Sequence, residues 1–206
     1  FRSLFESMTE AAQTLENDAG FPRDLVSREP AVIHYLPSSG RAEFRPSLAC
    51  NHHCGFCNSV SRDSTDNTYP KKDFKRLLEQ LDPLPLTTIA ISGGEPTLVK
   101  ELPDLVQLAS QEGYAIELQT NGMAFTDRRY GHSLRKAGLT RLLVSLHSAN
   151  ADESDGGITH FQGGWERTVS GIDQAIAMGF SVELSYVVHT TNMESTLEFF
   201  RFVDRK

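Results

Sequence analysis

The sequence predicts an α/β protein in which parallel strands alternate with helices packed outside them. Three observations carry that reading. Runs rich in β-branched and aliphatic residues are each followed by an amphipathic stretch, five times over. The strand-like runs begin at residues 43, 87, 114, 141 and 181, so successive starts lie 44, 27, 27 and 40 residues apart, the span of βαβ units with insertions after the first and the fourth. Gly113, Gly138 and Gly179 each stand shortly before a strand, where a helix ends in a left-handed residue.

Each element follows in order. Residues 3–17 set Leu4, Phe5, Met8, Ala11, Ala12 and Leu15 on one face at helical spacing, an amphipathic helix suited to packing. Phe21-Pro22-Arg23-Asp24 and Arg28-Glu29-Pro30 break it. Ala31 to Leu36 has strand character, and Pro37-Ser38-Ser39-Gly40 reads as a turn into the run after Arg41. Residues 1–42 are thus expected to form an N-terminal extension, a helix plus a short strand, and residues 43–206 a body of five βα units.

The five strands are expected at Glu43 to Leu48, Thr87 to Ser92, Tyr114 to Thr120, Arg141 to Leu146 and Ser181 to Val188. The helical stretches carry Phe74, Leu77, Leu78 and Leu81; Leu102, Leu105, Val106 and Leu108; Leu134 and Ala137; Trp165, Val169, Ile172 and Ile176; and Leu197, Phe199, Phe200 and Val203. A sixth strand is expected after the fifth helix, where the sequence stops.

With 39% hydrophobic and 23% charged residues the composition is that of an ordinary globular protein. No run approaches the apolar length of a membrane span, and Phe1 does not open a basic segment leading into an apolar one, so a soluble, cytoplasmic protein is expected. The formal net charge of −7 opposes bulk electrostatic binding to nucleic acid. Lys71, Lys72, Lys75 and Arg76, and again Arg128, Arg129, Arg135 and Lys136, read as solvated helix faces.

The three cysteines lie within eight residues, Cys50-Asn51-His52-His53-Cys54-Gly55-Phe56-Cys57. An odd, crowded set opposes a disulfide framework and reads as thiolate ligands kept reduced. One loop with this spacing can wrap a single metal centre. A 4Fe-4S cube held by three cysteines leaves one iron open to an outside ligand. Structural zinc, closed by His52 or His53 as a Cys3His site, is the alternative on the triplet alone.

The loop follows the first predicted strand, and the second predicted strand ends in Ser92-Gly93-Gly94-Glu95-Pro96-Thr97. The cysteine spacing with aromatic Phe56, together with Gly-Gly-Glu-Pro, resembles the radical S-adenosylmethionine (radical SAM) superfamily. Gln119-Thr120-Asn121-Gly122, Ser145-Leu146-His147-Ser148, residues 163–172 and Asn192 are similar to the branch that holds the molybdenum-cofactor cyclase and the SPASM-type peptide-modifying enzymes.

That resemblance implies a partial (β/α)6 TIM-like barrel whose sixth unit is missing from this chain. It implies a 4Fe-4S cluster on Cys50, Cys54 and Cys57, with S-adenosyl-L-methionine chelating the open iron. Gly93, Gly94 and Glu95 would lie along the methionine end, the glycines letting backbone come close and backbone carbonyls or Glu95 accepting from the α-amino group. Phe56, Asn121, Ser145 and His147 would complete the cofactor site, with Phe56 near the adenine. No glycine-rich motif marks the fifth strand, where Val187-Val188-His189-Thr190 stands.

The implied activity is reductive cleavage to a 5'-deoxyadenosyl radical that takes hydrogen from a substrate, in natural-product, peptide or cofactor maturation, fed by a flavodoxin- or ferredoxin-like donor. An iron-sulfur or zinc-binding module and a catalytically inactive scaffold are the alternatives. Substrate groups are expected at the strand C-termini, at Asn58, Thr97, Gln119, Ser148 and His189.

Overall fold

The computed structural model describes residues 34–36, 40–57, 71–81 and 84–205. The expected helix over residues 3–17 and the candidate Asn58 lie outside them. Strands β1 (His34–Leu36), β2 (Arg41–Phe44), β3 (Thr88–Ile91), β4 (Ala115–Thr120), β5 (Arg141–Ser145) and β6 (Ser181–Ser185) form one sheet in that order. β1 pairs antiparallel with β2, with His34 opposite Glu43, and every later pairing is parallel. The expected hairpin and five parallel strands are therefore both present.

Helices α1 (Lys71–Leu81), α2 (Leu102–Gln111), α3 (Arg128–Ala137), α4 (Gly164–Ala177) and α5 (Thr196–Val203) fall between or after the parallel strands. Gly113, Gly138 and Gly179 hold φ of 89°, 113° and 81°. These are the left-handed stops expected after α2, α3 and α4. Asp127 caps α3 by accepting from the Arg129 and Tyr130 N–H groups. Among the described residues no helix is long and apolar enough to cross a membrane.

Burial alternates along β2, β4 and β5, which a parallel sheet covered on both faces would not show. Ala42 and Phe44 of β2, Ile116 and Leu118 of β4, and Leu142 and Val144 of β5 are buried in one core with the apolar helix faces. Most of the intervening residues, Arg41, Glu43, Glu117, Gln119, Arg141 and Ser145, are polar. Arg41 bonds Glu117 at 2.7 Å, and Arg141 lies 3.8 Å from Glu117 and 3.1 Å from Glu183. The face turned from the helices is thus laced by charges, and at the strand C-termini it opens into the candidate site.

β2 and β6 end well before the residues expected. β2 spans Arg41–Phe44 rather than Glu43 to Leu48, because Pro46, which has no N–H to give a ladder, stands at a bend. β6 stops at Ser185, and the Val187 N–H turns instead to the His147 Nδ1 at 3.1 Å. Of the apolar residues expected to pack α5, Phe199 is buried while Leu197 and Phe200 are exposed; Ile176 of α4 is exposed as well. The insertion after β5 holds a π-helical turn at Glu153–Ile158, which nothing in the spacing announces.

Candidate functional site

The cysteine loop leaves β2 and is tied down on two sides. The His53 N–H donates to the Thr159 carbonyl at 2.8 Å and Gly55 N–H to that of Ile158 at 3.3 Å, hooking the loop to the π-helical turn. Asn121 donates from Nδ2 to the Asn51 Oδ1 at 2.8 Å, hooking it to the end of β4. Within the loop the Cys57 N–H donates to the Cys54 carbonyl at 3.1 Å, and the His52 N–H points at the Cys50 Sγ at 3.4 Å. None of the three cysteines is in a disulfide, and all are half-buried. Burial pushes the Cys50 thiol above its ordinary value, the nearby Glu95 and Cys57 add to that, and the His52 N–H opposes it.

Among the described residues no three His, Cys, Asp or Glu side chains converge as the ligand set of one ion. A cube that takes one thiolate on each of three irons needs the sulfurs spread more widely than a single zinc does. Three half-buried cysteines on one anchored loop, with Cys50 and Cys54 on a cavity wall, fit such a cluster in number and in chemistry.

The glycine turn after β3 lies against this loop. A Cβ on Gly93 would fall 2.2 Å from the Ser47 carbonyl oxygen, and one on Gly94 2.2 Å from that of Ala49. Side chains are excluded by the chain's own backbone, a reason for glycine beyond the approach to a ligand expected from the sequence. They let two loops clamp together. The Gly94 N–H bonds Ser47 O at 3.0 Å and the Glu95 N–H bonds Ala49 O at 2.7 Å, and Gly93 has φ of 130°, open to glycine.

Glu95 is buried, and its carboxylate is filled by the protein itself. One oxygen accepts from the Thr97 N–H at 3.0 Å, the Thr97 hydroxyl at 2.6 Å and the Thr120 hydroxyl at 2.8 Å; the other accepts from the Asn121 N–H at 2.7 Å. Burial raises its pKa and these four donors pull the other way. Glu95 thus bolts the end of β3 to the end of β4.

A cavity of about 390 Å³ gathers nearly every candidate residue. Cys50, Cys54, Phe56, Gly93, Gly94, Glu95, Asn121, Ser145 and His147 all line it, and Cys57 stands one turn behind Cys54. His147 is buried, and burial, with His189 and His52 nearby, pushes its imidazole down to about 4. Because its Nδ1 accepts from the Val187 N–H, the neutral ring carries its proton on Nε2. Phe56 meets His147 edge-on at 4.9 Å and His189 tilted at 5.4 Å. A second cavity of about 280 Å³ lies beyond Phe56, against Gly157 and His189, whose Nε2 is buried with no hydrogen-bond partner among the described residues.

Of the expected wall, Gln119 lines the main cavity and His189 the second. Thr97 is committed to Glu95, and Ser148 donates to Glu153. The sequence reading passed over Glu43, Arg45, Ser92 and Thr159, which line the main cavity too. The polar alternation Arg41, Glu43, Arg45 held the signal for two of them. His52, a ligand in the zinc alternative, is buried against Phe161 with its ring held down at about 4 by burial, and its Nε2 has no partner among the described residues. Asn192, fully buried, bridges the strand ends by donating to the carbonyls of His147 at 2.8 Å and Val187 at 2.9 Å.

Residues 44–203 match the family model described as the radical SAM superfamily. A probable GTP 3',8-cyclase of Saccharolobus solfataricus is 31% identical over 155 residues, 73% of this chain and 48% of that protein. The chain spans about half the length of the curated relatives it matches. Among solved structures, Streptococcus suis SuiB bound to S-adenosylmethionine superposes with a TM-score of 0.65 at 21% identity, covering 77% of this chain and 36% of that one. The anSMEcpe structure with bound AdoMet superposes with a TM-score of 0.66 at 15% identity, over 78% of this chain and 46% of that one. These two are likenesses of fold. The family model spans most of the chain and runs from the end of β2 through α5, and the chain belongs to the radical SAM superfamily.

Proposed function

We propose that this chain is the catalytic core of a radical SAM enzyme acting in natural-product, peptide or cofactor maturation. One observation carries the reading: the cysteine loop and the glycine turn, far apart in sequence, meet on one cavity. In this reading Cys50, Cys54 and Cys57 hold the 4Fe-4S cluster. Phe56, Gly93, Gly94, Glu95, Asn121, Ser145 and His147 form the S-adenosylmethionine site, in residues 43–206 as the core and 1–42 as an extension. When bound and reduced, the cluster supplies the electron that splits the cofactor's carbon–sulfur bond and so frees the 5'-deoxyadenosyl radical.

The chain's own part is positioning. The clamp between Gly93-Gly94 and residues 47–49 fixes the loop that presents the cysteines, and Glu95 fixes the β4 terminus beside it. Backbone groups of the glycine turn and the Ser145 hydroxyl, which line the cavity, supply polar contacts for the amino-acid and ribose ends of the cofactor. His147, neutral at pH 7 with its proton on Nε2, offers a donor. Nearby relatives support the substrate range: one SuiB structure holds its precursor peptide SuiA, and the curated relatives include GTP 3',8-cyclases. A flavodoxin- or ferredoxin-like protein in the cytoplasm would supply the electron.

The test is anaerobic. The cluster is reconstituted, dithionite and S-adenosylmethionine are added, and 5'-deoxyadenosine is quantified beside a Cys54→Ala control. Product that vanishes in the variant is expected. A well-formed cluster that yields none would turn the reading to a scaffold.

A further inference from the structure

Within residues 50–57, His52 is the one buried side chain, 8% exposed. Its backbone N–H points at the Cys50 Sγ at 3.4 Å, so the residue that anchors the loop also bonds one of its cysteines. The ring lies on Phe161, with centroids 5.3 Å apart and planes tilted by 35°. Beside it stands Gly164, the first residue of α4, where an added Cβ would fall 3.4 Å from the His52 Nε2 and 3.1 Å from the Phe161 Cδ1. A side chain there would crowd both rings, so the glycine keeps the seat open. The floor is itself fixed: the Asp155 carboxylate accepts from the Gly163 N–H at 2.6 Å and the Trp165 N–H at 2.8 Å, tying the π-helical turn to the start of α4. The His52 Nε2 has no hydrogen-bond partner among the described residues, so ring contacts hold the side chain in place.

We propose that His52 is a positioning residue for the iron-sulfur cluster: its ring, seated on Phe161 beside Gly164, holds its own backbone N–H against the Cys50 sulfur. An N–H aimed at a thiolate draws negative charge from the sulfur, and hydrogen bonds to ligand sulfurs help to set the electronic character of a cluster. The hydrogen bonds at His53 and Gly55 fix the loop beyond His52, and Asn51 fixes it before. The ring fixes the residue between. The proposal rests on the radical SAM reading for the cluster on Cys50, and the two fail separately.

The experiment is resonance Raman spectroscopy of the anaerobically reconstituted holoprotein without S-adenosylmethionine, with iron loss to the chelator bipyridyl timed in parallel. The N–H weakens the bond between iron and the Cys50 sulfur, so its loss is expected to raise an iron–cysteine stretching frequency. His52→Ala and Phe161→Ala are each expected to raise it and to speed iron loss by about tenfold or more, the effect of losing the packing of one ring. Because Phe161 acts through His52, adding Phe161→Ala to His52→Ala is expected to change neither reading further. His52→Phe, which keeps a ring on the seat, is expected to match the wild type in both.

A loop held by its backbone bonds alone predicts otherwise. An unshifted stretch in His52→Ala overturns the proposal, whatever the iron loss. So does a His52→Phe stretch shifted as far as that of His52→Ala, which would give the effect to the imidazole itself, and so do additive shifts in the double variant. Should His52→Ala fail to fold by circular dichroism or to take up iron, Phe161→Ala, outside the cysteine loop, carries the test, and an unshifted stretch there overturns the proposal. A wild type that shows the cluster and the expected variant shifts but yields no 5'-deoxyadenosine would refute the radical chemistry and leave the seat standing. A wild type that takes up no 4Fe-4S cluster overturns both.

Discussion

Gly94→Ala tests whether the glycine turn is a clamp or a ligand cradle. The new methyl would sit 2.2 Å from the Ala49 carbonyl oxygen, 2.4 Å from that of Leu48 and 2.6 Å from the Ala49 carbonyl carbon. All three are backbone atoms, so no rotamer change relieves the overlap, and the turn must back away by about 1 Å to reach ordinary contact. That retreat strains or breaks the bonds from Gly94 N–H to Ser47 O and from Glu95 N–H to Ala49 O. Overpacking costs about 1–3 kcal/mol, and two backbone hydrogen bonds about 0.5–1.5 kcal/mol each. The sum of about 2–6 kcal/mol is a large share of the stability of a domain this size. With a slope of about 2 kcal/mol per molar urea, the unfolding midpoint should fall by about 1–3 M. Gly55→Ala is the control: its Cβ meets nothing within 4 Å, and it should shift stability by no more than about 0.5 kcal/mol. Urea denaturation followed by circular dichroism reads both. A Gly94→Ala protein with the wild-type midpoint would refute the clamp.

Three further outcomes are expected. Glu95→Gln sets an amide NH2 against donors on one side of a group that now accepts four hydrogen bonds, and should cost about 1–3 kcal/mol by thermal melting; an unchanged melting temperature would mean the β3–β4 bolt is slack. Asn192→Ala leaves the His147 and Val187 carbonyls without their donor and the His189 N–H without its acceptor, so a loss of about 2–4 kcal/mol is expected in urea, and less than about 0.5 kcal/mol would contradict the bridging role. His147 titrates at about 4 when folded against an ordinary value of 6.5, so its contribution is present in full above pH 6.5 and is lost as the pH falls toward 4. The fall in urea midpoint between pH 7.5 and pH 5 should be smaller in His147→Asn than in the wild type, and equal falls would exclude the buried imidazole as its source.

The fold and the place of the chemistry were legible because they rest on local pattern. Strand and helix periodicity, three glycine stops, a cysteine loop after the first parallel strand and a glycine turn after the second are all written in neighbouring residues, and each sits where it was expected. What the glycines and Glu95 do was not legible. A sequence shows that side chains are absent at residues 93 and 94, but only the packed structure shows that the oxygens of Ser47 and Ala49 occupy the space. That Glu95 ties two strand ends is unreadable until folding brings Thr120 and Asn121, 25 and 26 residues away, to donate to it.

Burial is likewise a tertiary property. His52 reads as a loop residue because nothing local tells that the π-helical turn and Phe161 will close over it. Glu43 and Arg45 read as ordinary strand polarity until the sheet turns that face to a cavity. The sequence by itself determined which groups are present and on which strand ends they fall, since period and spacing act along the chain. The tertiary structure decided which of them face one another, since hydrogen-bond saturation and desolvation depend on neighbours brought from far away along it.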